Sequence, residues 1–156
     1  MSLRQEWMAL LARAPLHLLE QTLQSHLRHK PQWLRKPETG LMMVQGRTGG
    51  HGERFNLGEV TVTRCALRLQ SAGLSGPVGV AYILGRNHKQ AWLAATADAL
   101  LQEPDWRDEL AHSLLEPIRT HLAEQAAARQ QRTTATRVDF LTMAREVAGL
   151  DDEVAA

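Results

Sequence analysis

The sequence predicts an α+β fold: an N-terminal helical hairpin, a small antiparallel sheet, C-terminal helices and an extended terminal arm. Three observations carry this. Leucines recur at helical spacing before residue 30, and apolar residues do so again after residue 87. Between them the period shortens and β-branched residues gather in "EVTVTRCALRL". Proline and glycine punctuate the borders, as in "KPQWLRKPETG" and "SAGLSGPVG".

Taken in order, Leu3, Trp7, Leu10 and Leu11 share one helical face over residues 3–13, with Ser2 placed to cap it. Pro15 suits the first turn of a second helix, where its missing N–H costs nothing. Leu16, Leu19, Leu23 and Leu27 form the apolar stripe of that helix, which ends near Lys30 and Pro31. The segment Lys30 to Gly40 reads as a connecting loop. "LMMVQGR" then reads as a short extended segment, and "VAYILGR" from Val80 to Arg86 as a further strand. The middle strand has a fault. Val60 and Val62 have one parity, whereas Cys65, Leu67 and Leu69 have the other. Either a β-bulge near Arg64 corrects the register, or the strand is buried on both faces. Asn87 is a good N-cap for the next helix. Trp106, Leu110, Leu114, Ile118 and Leu122 mark another, with Pro117 expected to kink it. "AAARQQRTTAT" loses the periodicity and reads as a frayed end and linker. "RVDFLTMAREV" fits strand or helix.

The chain is long enough to bury roughly two-thirds of its unfolded surface without a staple. One domain is expected over residues 1–150, followed by a disordered acidic tail at 151–156. Hydrophobic residues at 44% and charged residues at 22% exclude a disordered chain. The lone Cys65 excludes an intrachain disulfide and any multi-cysteine zinc site, and suits a reducing cytoplasm. The first twenty residues mix charges among leucines, so no signal peptide is expected. No run approaches the roughly 18 apolar residues of a membrane span. The net charge of +1 is unevenly spread. Residues 21–97 carry ten Lys/Arg against Glu38, Glu53 and Glu59, whereas residues 98–128 carry two against seven acids. If that segregation survives folding, the middle could face an anion or an acidic partner.

Candidate chemistry is sparse. The loop "GRTGGHG" (Gly46–Gly52) could turn backbone N–H groups towards an anion, with Arg47 and Arg54 adding charge. It lacks the Gly-Lys-Ser/Thr ending and the following helix of a nucleotide phosphate loop, so a mobile hairpin loop is the preferred reading and phosphate contact an unspecific alternative. His26 and His29 could share a helical face, but no further ligand completes a tetrahedral set, and no metal site is expected. Arg64 beside Cys65 would lower a thiol pKa, yet the apolar parity of Cys65 reads as core. There is no nucleophile elbow and no spaced acid pair. Nucleic-acid binding lacks a basic helix or an aromatic-studded sheet.

Pro37 to Leu69, with "FNLGEVTVTR" at its centre, Gly76 to Leu101, and "ATRVDFLTMAREV" from Ala135 to Val147 together resemble the PhnG family of the bacterial carbon–phosphorus lyase system. The resemblance covers nearly the whole chain. It implies a cytoplasmic subunit that, with PhnH and PhnI, replaces the adenine of MgATP by methylphosphonate. The product is α-D-ribose 1-methylphosphonate 5-triphosphate. It implies PhnJ as a further partner, no cofactor held by this chain alone, and no catalytic residue, since nucleoside-bond cleavage is attributed mainly to PhnI. The other reading is a structural scaffold that stabilises PhnI without touching substrate. On the first reading Arg47, Arg54, Arg64 and Arg137 are candidates for substrate-anion or inter-subunit contacts, and Glu59 could pair with one of them. Val138, Phe140, Leu141 and Met143 are candidates for docking of the terminal arm on a partner, strand addition being one mode.

Overall fold

The computed structural model describes residues 3–27, 31–71 and 74–136. Helices α1 (Leu3–Leu11) and α2 (Leu16–Leu23) follow each other as expected, but each packs on α3 rather than on the other, and α2 ends at Leu23, short of the expected end near Lys30. Strands β1 (Gln32–Arg47), β2 (Arg54–Ser71) and β3 (Leu74–Leu84) follow as an antiparallel sheet in the order β1-β2-β3. Helices α3 (His88–Gln102), α4 (Pro104–Leu110) and α5 (Glu116–Ala135) come next, with a π-helical turn at Ala111–Leu115. The predicted fold class is the observed one. Ser2 and the terminal arm beyond Thr136 lie outside the described residues.

α3 is the centre of the core. It is buried on nearly every side, lying on the sheet and covered by α1, α2 and α4. Its alanines Ala91, Ala94, Ala95, Ala97 and Ala99 are all buried, and small side chains let backbones approach closely. The approach is closest at Gly79 of β3, where a Cβ would overlap the carbonyl oxygen of Ala95. Asn87 caps the helix as expected, its side chain accepting from the Gln90 N–H at 3.0 Å.

Four further expectations are corrected. β1 is far longer than "LMMVQGR" and takes in the predicted loop up to Gly40. Pro37 is tolerated because β1 is an edge strand with register shifts between Trp33 and Glu38. β3 likewise begins at Leu74, and its Pro77 lies beside the shift between Arg68 and Gln70. No bulge occurs in β2 at Arg64, which holds unbroken register with β3 from Val62 to Arg68. The inward set is Thr63, Cys65, Leu67 and Leu69, all buried. The apparent fault is a polar residue in a core-facing slot. Thr63 Oγ1 donates to the Gly85 carbonyl at 2.7 Å and accepts from the Asn87 N–H at 3.2 Å, which satisfies it. Val62, of the opposite parity, is also buried, so burial on both faces holds locally there. Finally, "AAARQQRTTAT" is not a linker: α5 continues through it to Ala135.

Pro117 acts as expected of a residue without an N–H. The π-helical turn precedes it, and the Glu116 N–H reaches back to the Ala111 carbonyl. Pro117 cannot donate to the carbonyl of Ser113, which instead accepts from Thr22 Oγ1 of the α1–α2 unit at 3.3 Å.

Asp98 is fully buried in the middle of α3. Its carboxylate accepts from Arg4 Nη2 at 2.8 Å, Trp7 Nε1 at 2.9 Å and the Val80 N–H at 2.9 Å. One side chain therefore joins α1, α3 and β3. Asp98→Ala would strand three donors and is expected to cost about 3 kcal/mol, read as a lower urea midpoint at unchanged slope.

Candidate partner and anion interface

The pairing of β2 with β3 stops at Val62 and Leu84. Beyond the Thr61 carbonyl, which still accepts from the Gly85 N–H at 2.8 Å, Met42–Arg47 and Arg54–Val60 pair with each other alone among the described residues and form a two-stranded arm. A 3-10 turn at Thr48–Gly50 closes its tip, with Gly49 (φ 56°) and Gly50 (φ 80°) supplying left-handed backbone that other residues resist. The glycine-rich stretch is thus hairpin-turn chemistry.

The register sorts the arm into two faces. One carries Met42, Val44, Phe55, Leu57 and Val60. Leu57 is the extra residue opposite the step from Val44 to Gln45, and it lies over Gly46, where a Cβ would stand 2.8 Å from its Cδ1. Phe55 is 46% exposed and Leu57 62%. This apolar face runs on to Leu84 and Tyr82 on the side of the sheet away from α3, and both are exposed. The other face carries Gln45 hydrogen-bonded to Asn56 at 3.2 Å, Glu59 opposite Met43, and Arg47 directly opposite Arg54.

The candidate residues separate accordingly. Arg64 is on the apolar side of the sheet and is already paired, its Nε donating to Glu38 Oε1 at 2.7 Å. Arg35 Nη1 donates to the same oxygen at 2.7 Å. These hydrogen bonds, from Arg64 first and Arg35 second, hold the Glu38 carboxyl below its ordinary value of 4.5. The expected pairing of Glu59 with an arginine is not found among the described residues; Glu38 has that role, and Arg64 is held within the chain. Arg47 and Arg54 are exposed, and no carboxylate pairs with either among the described residues. Arg47 Nη1 reaches only the Gly52 carbonyl, at 3.5 Å. Arg137, Val138, Phe140, Leu141 and Met143 lie outside the described residues.

No group of three or more His, Cys, Asp or Glu is placed to hold a metal among the described residues. Cys65 is a core residue, and burial pushes its thiol from 9.0 up to about 11. It is therefore a poor nucleophile despite Arg64 beside it. Sequence reasoning missed Asp98 and Glu38. Each left a signal: an acid inside an apolar alanine-rich run, and a lone acid in a basic stretch. It also missed the contact of His17 with His121, whose rings meet edge to face at 6.2 Å.

A family model described as phosphonate metabolism protein PhnG matches residues 2–146. The chain belongs to the PhnG family. The alpha-D-ribose 1-methylphosphonate 5-triphosphate synthase subunit PhnG of Rhizobium meliloti (strain 1021) is 42% identical over 144 residues, covering 91% of this chain and 88% of that protein. A PhnG chain is thus similar to a named subunit of a synthase, and among its described residues no helix is long and apolar enough to cross a membrane.

The buried thiol gives a direct check. At pH 8 the folded chain should react with a thiol reagent about 100-fold more slowly than the urea-unfolded chain. Above pH 9 the unfolded thiol ionises while the folded one stays neutral. Stability should therefore fall as pH rises towards 11, and Cys65→Ala should remove that dependence.

Proposed function

We propose that this PhnG chain is an obligatory, non-catalytic subunit of the enzyme that replaces the adenine of MgATP by methylphosphonate, giving α-D-ribose 1-methylphosphonate 5-triphosphate. PhnH and PhnI are its partners in that reaction, PhnJ joins the same core, and the complex is cytoplasmic. The relative's name supports the reaction. The observation that carries the role is the arm, whose apolar face is exposed along both strands and continues onto the sheet. A two-stranded ribbon is marginal in water by itself, and a contiguous apolar patch of this kind marks a binding surface. The arm is the part of the fold that a partner would complete.

The chemistry agrees with a supporting role. Displacing adenine passes through a ribosyl centre of cationic character while a triphosphate must be held by cations, metal or backbone donors. Cys65 is buried and neutral, and the exposed arginines can hold charge but cannot attack carbon. On this reading the chain shapes a site whose reacting groups belong to a neighbour.

Two experiments test it. Adenine release from MgATP and methylphosphonate should require co-expression with PhnH and PhnI. Turnover by the purified chain alone would refute the proposal. The double variant Phe55→Asp with Leu57→Asp should leave the helical circular-dichroism signal intact yet reduce co-purification with PhnI at least about tenfold, since each change puts a charge into an apolar contact. Undiminished co-purification would remove the arm from the interface.

A further inference from the structure

We propose that Arg47 and Arg54 together form a clamp for the triphosphate of the nucleotide substrate. This rests on the reading that the chain works within the synthase, and it narrows the site to one pair of side chains. The two arginines are direct cross-strand partners, so their side chains leave the same face of the arm. Facing positions in an antiparallel ladder are about 5 Å apart, close enough for two guanidinium groups to converge on one anion. Like charges placed opposite each other weaken a hairpin unless something neutralises them. Among the described residues no carboxylate does: neither Glu53 nor Glu59 pairs with them, and Glu38 is committed to Arg35 and Arg64.

The class of anion follows from the geometry. One arginine saturates one carboxylate through two parallel hydrogen bonds, so a partner carboxylate would need only one of the pair. Adjacent phosphoryl groups offer oxygens and charge for both. The neighbouring Gln45–Asn56 amide pair is neutral and leaves that field undiminished. A nucleic-acid strand fits poorly, because Phe55, the aromatic ring of the arm's strands, is on the opposite face from the arginines. The division of faces also fits the docked state. With the apolar side seated on a partner, the two cations point away from the seat and into the space beside it.

The test uses the assembled complex of this chain with PhnH and PhnI, titrated calorimetrically with inorganic tripolyphosphate. The variant Arg47→Ala with Arg54→Ala should assemble as the parent does and bind tripolyphosphate about 10- to 100-fold more weakly, with a matching rise in KM for MgATP. Arg47→Lys with Arg54→Lys should recover part of the loss, because charge is kept while the planar fork is not. Unchanged tripolyphosphate affinity in the intact double-alanine complex would overturn the clamp. So would failure of that variant to assemble while folding normally, which would assign the pair to carboxylates of the partner. A parent complex that binds tripolyphosphate but releases no adenine would count against the broader reaction and leave the clamp standing.

Discussion

The carboxylate of Asp98, fully buried in α3, accepts hydrogen bonds from Arg4, Trp7 and the Val80 backbone. Burying a charge is costly, and only complete hydrogen bonding offsets it. Here every donor comes from a different neighbour of α3 or from a different side chain of α1. The arrangement holds only if the first helix, the central helix and the third strand meet in one geometry. The central layer is therefore specified by a polar contact as well as by apolar packing. Gly79 and the alanines of α3 then set how closely helix and sheet approach.

That geometry decides what remains open. α3 covers the inner face of the sheet and α1, α2 and α4 cover α3, whereas Tyr82, Leu84 and the apolar side of the arm face water. The salt-bridged group of Glu38, Arg35 and Arg64 is on the same uncovered side. Surface ion pairs contribute little to stability, but these hold two cations of the basic middle segment to one acid. The uneven charge noted in the sequence thus survives folding only in part. Among the described residues Arg64 is answered locally, whereas the pair at the hairpin tip is not.

Much of this was legible in the residues. Helical leucines, the Asn87 cap and the turn glycines act locally, and each appears where its chemistry places it. The errors came where a tertiary neighbour overrode a local signal. Pro37 and Pro77 looked like loop markers, yet edge strands with irregular register accept them. Thr63 breaks the alternation of the middle strand, a pattern that a bulge or burial on both faces would each explain. Its hydroxyl is instead satisfied by the turn into α3, a connection that spacing cannot reveal. The polar stretch after Ala126 lost its periodicity because that part of α5 buries no face, so the usual helical pattern had nothing to record. The proposed surface was visible as arginines and glycines but not as an arm, since its form depends on where the third strand stops.

The two borders of the sheet are not equivalent. At β3 the Val80 N–H is taken by Asp98, and the Val78 carbonyl accepts from both Arg4 and Gln102. At β1 the irregular half from Gln32 to Glu38 gives way to a regular run from Thr39 to Val44. Over Val78–Val80 the β3 border therefore offers no main-chain template, whereas the regular run of β1 does. Side chains of the first helix and of α3 thus withhold Val78 and Val80 from any added strand.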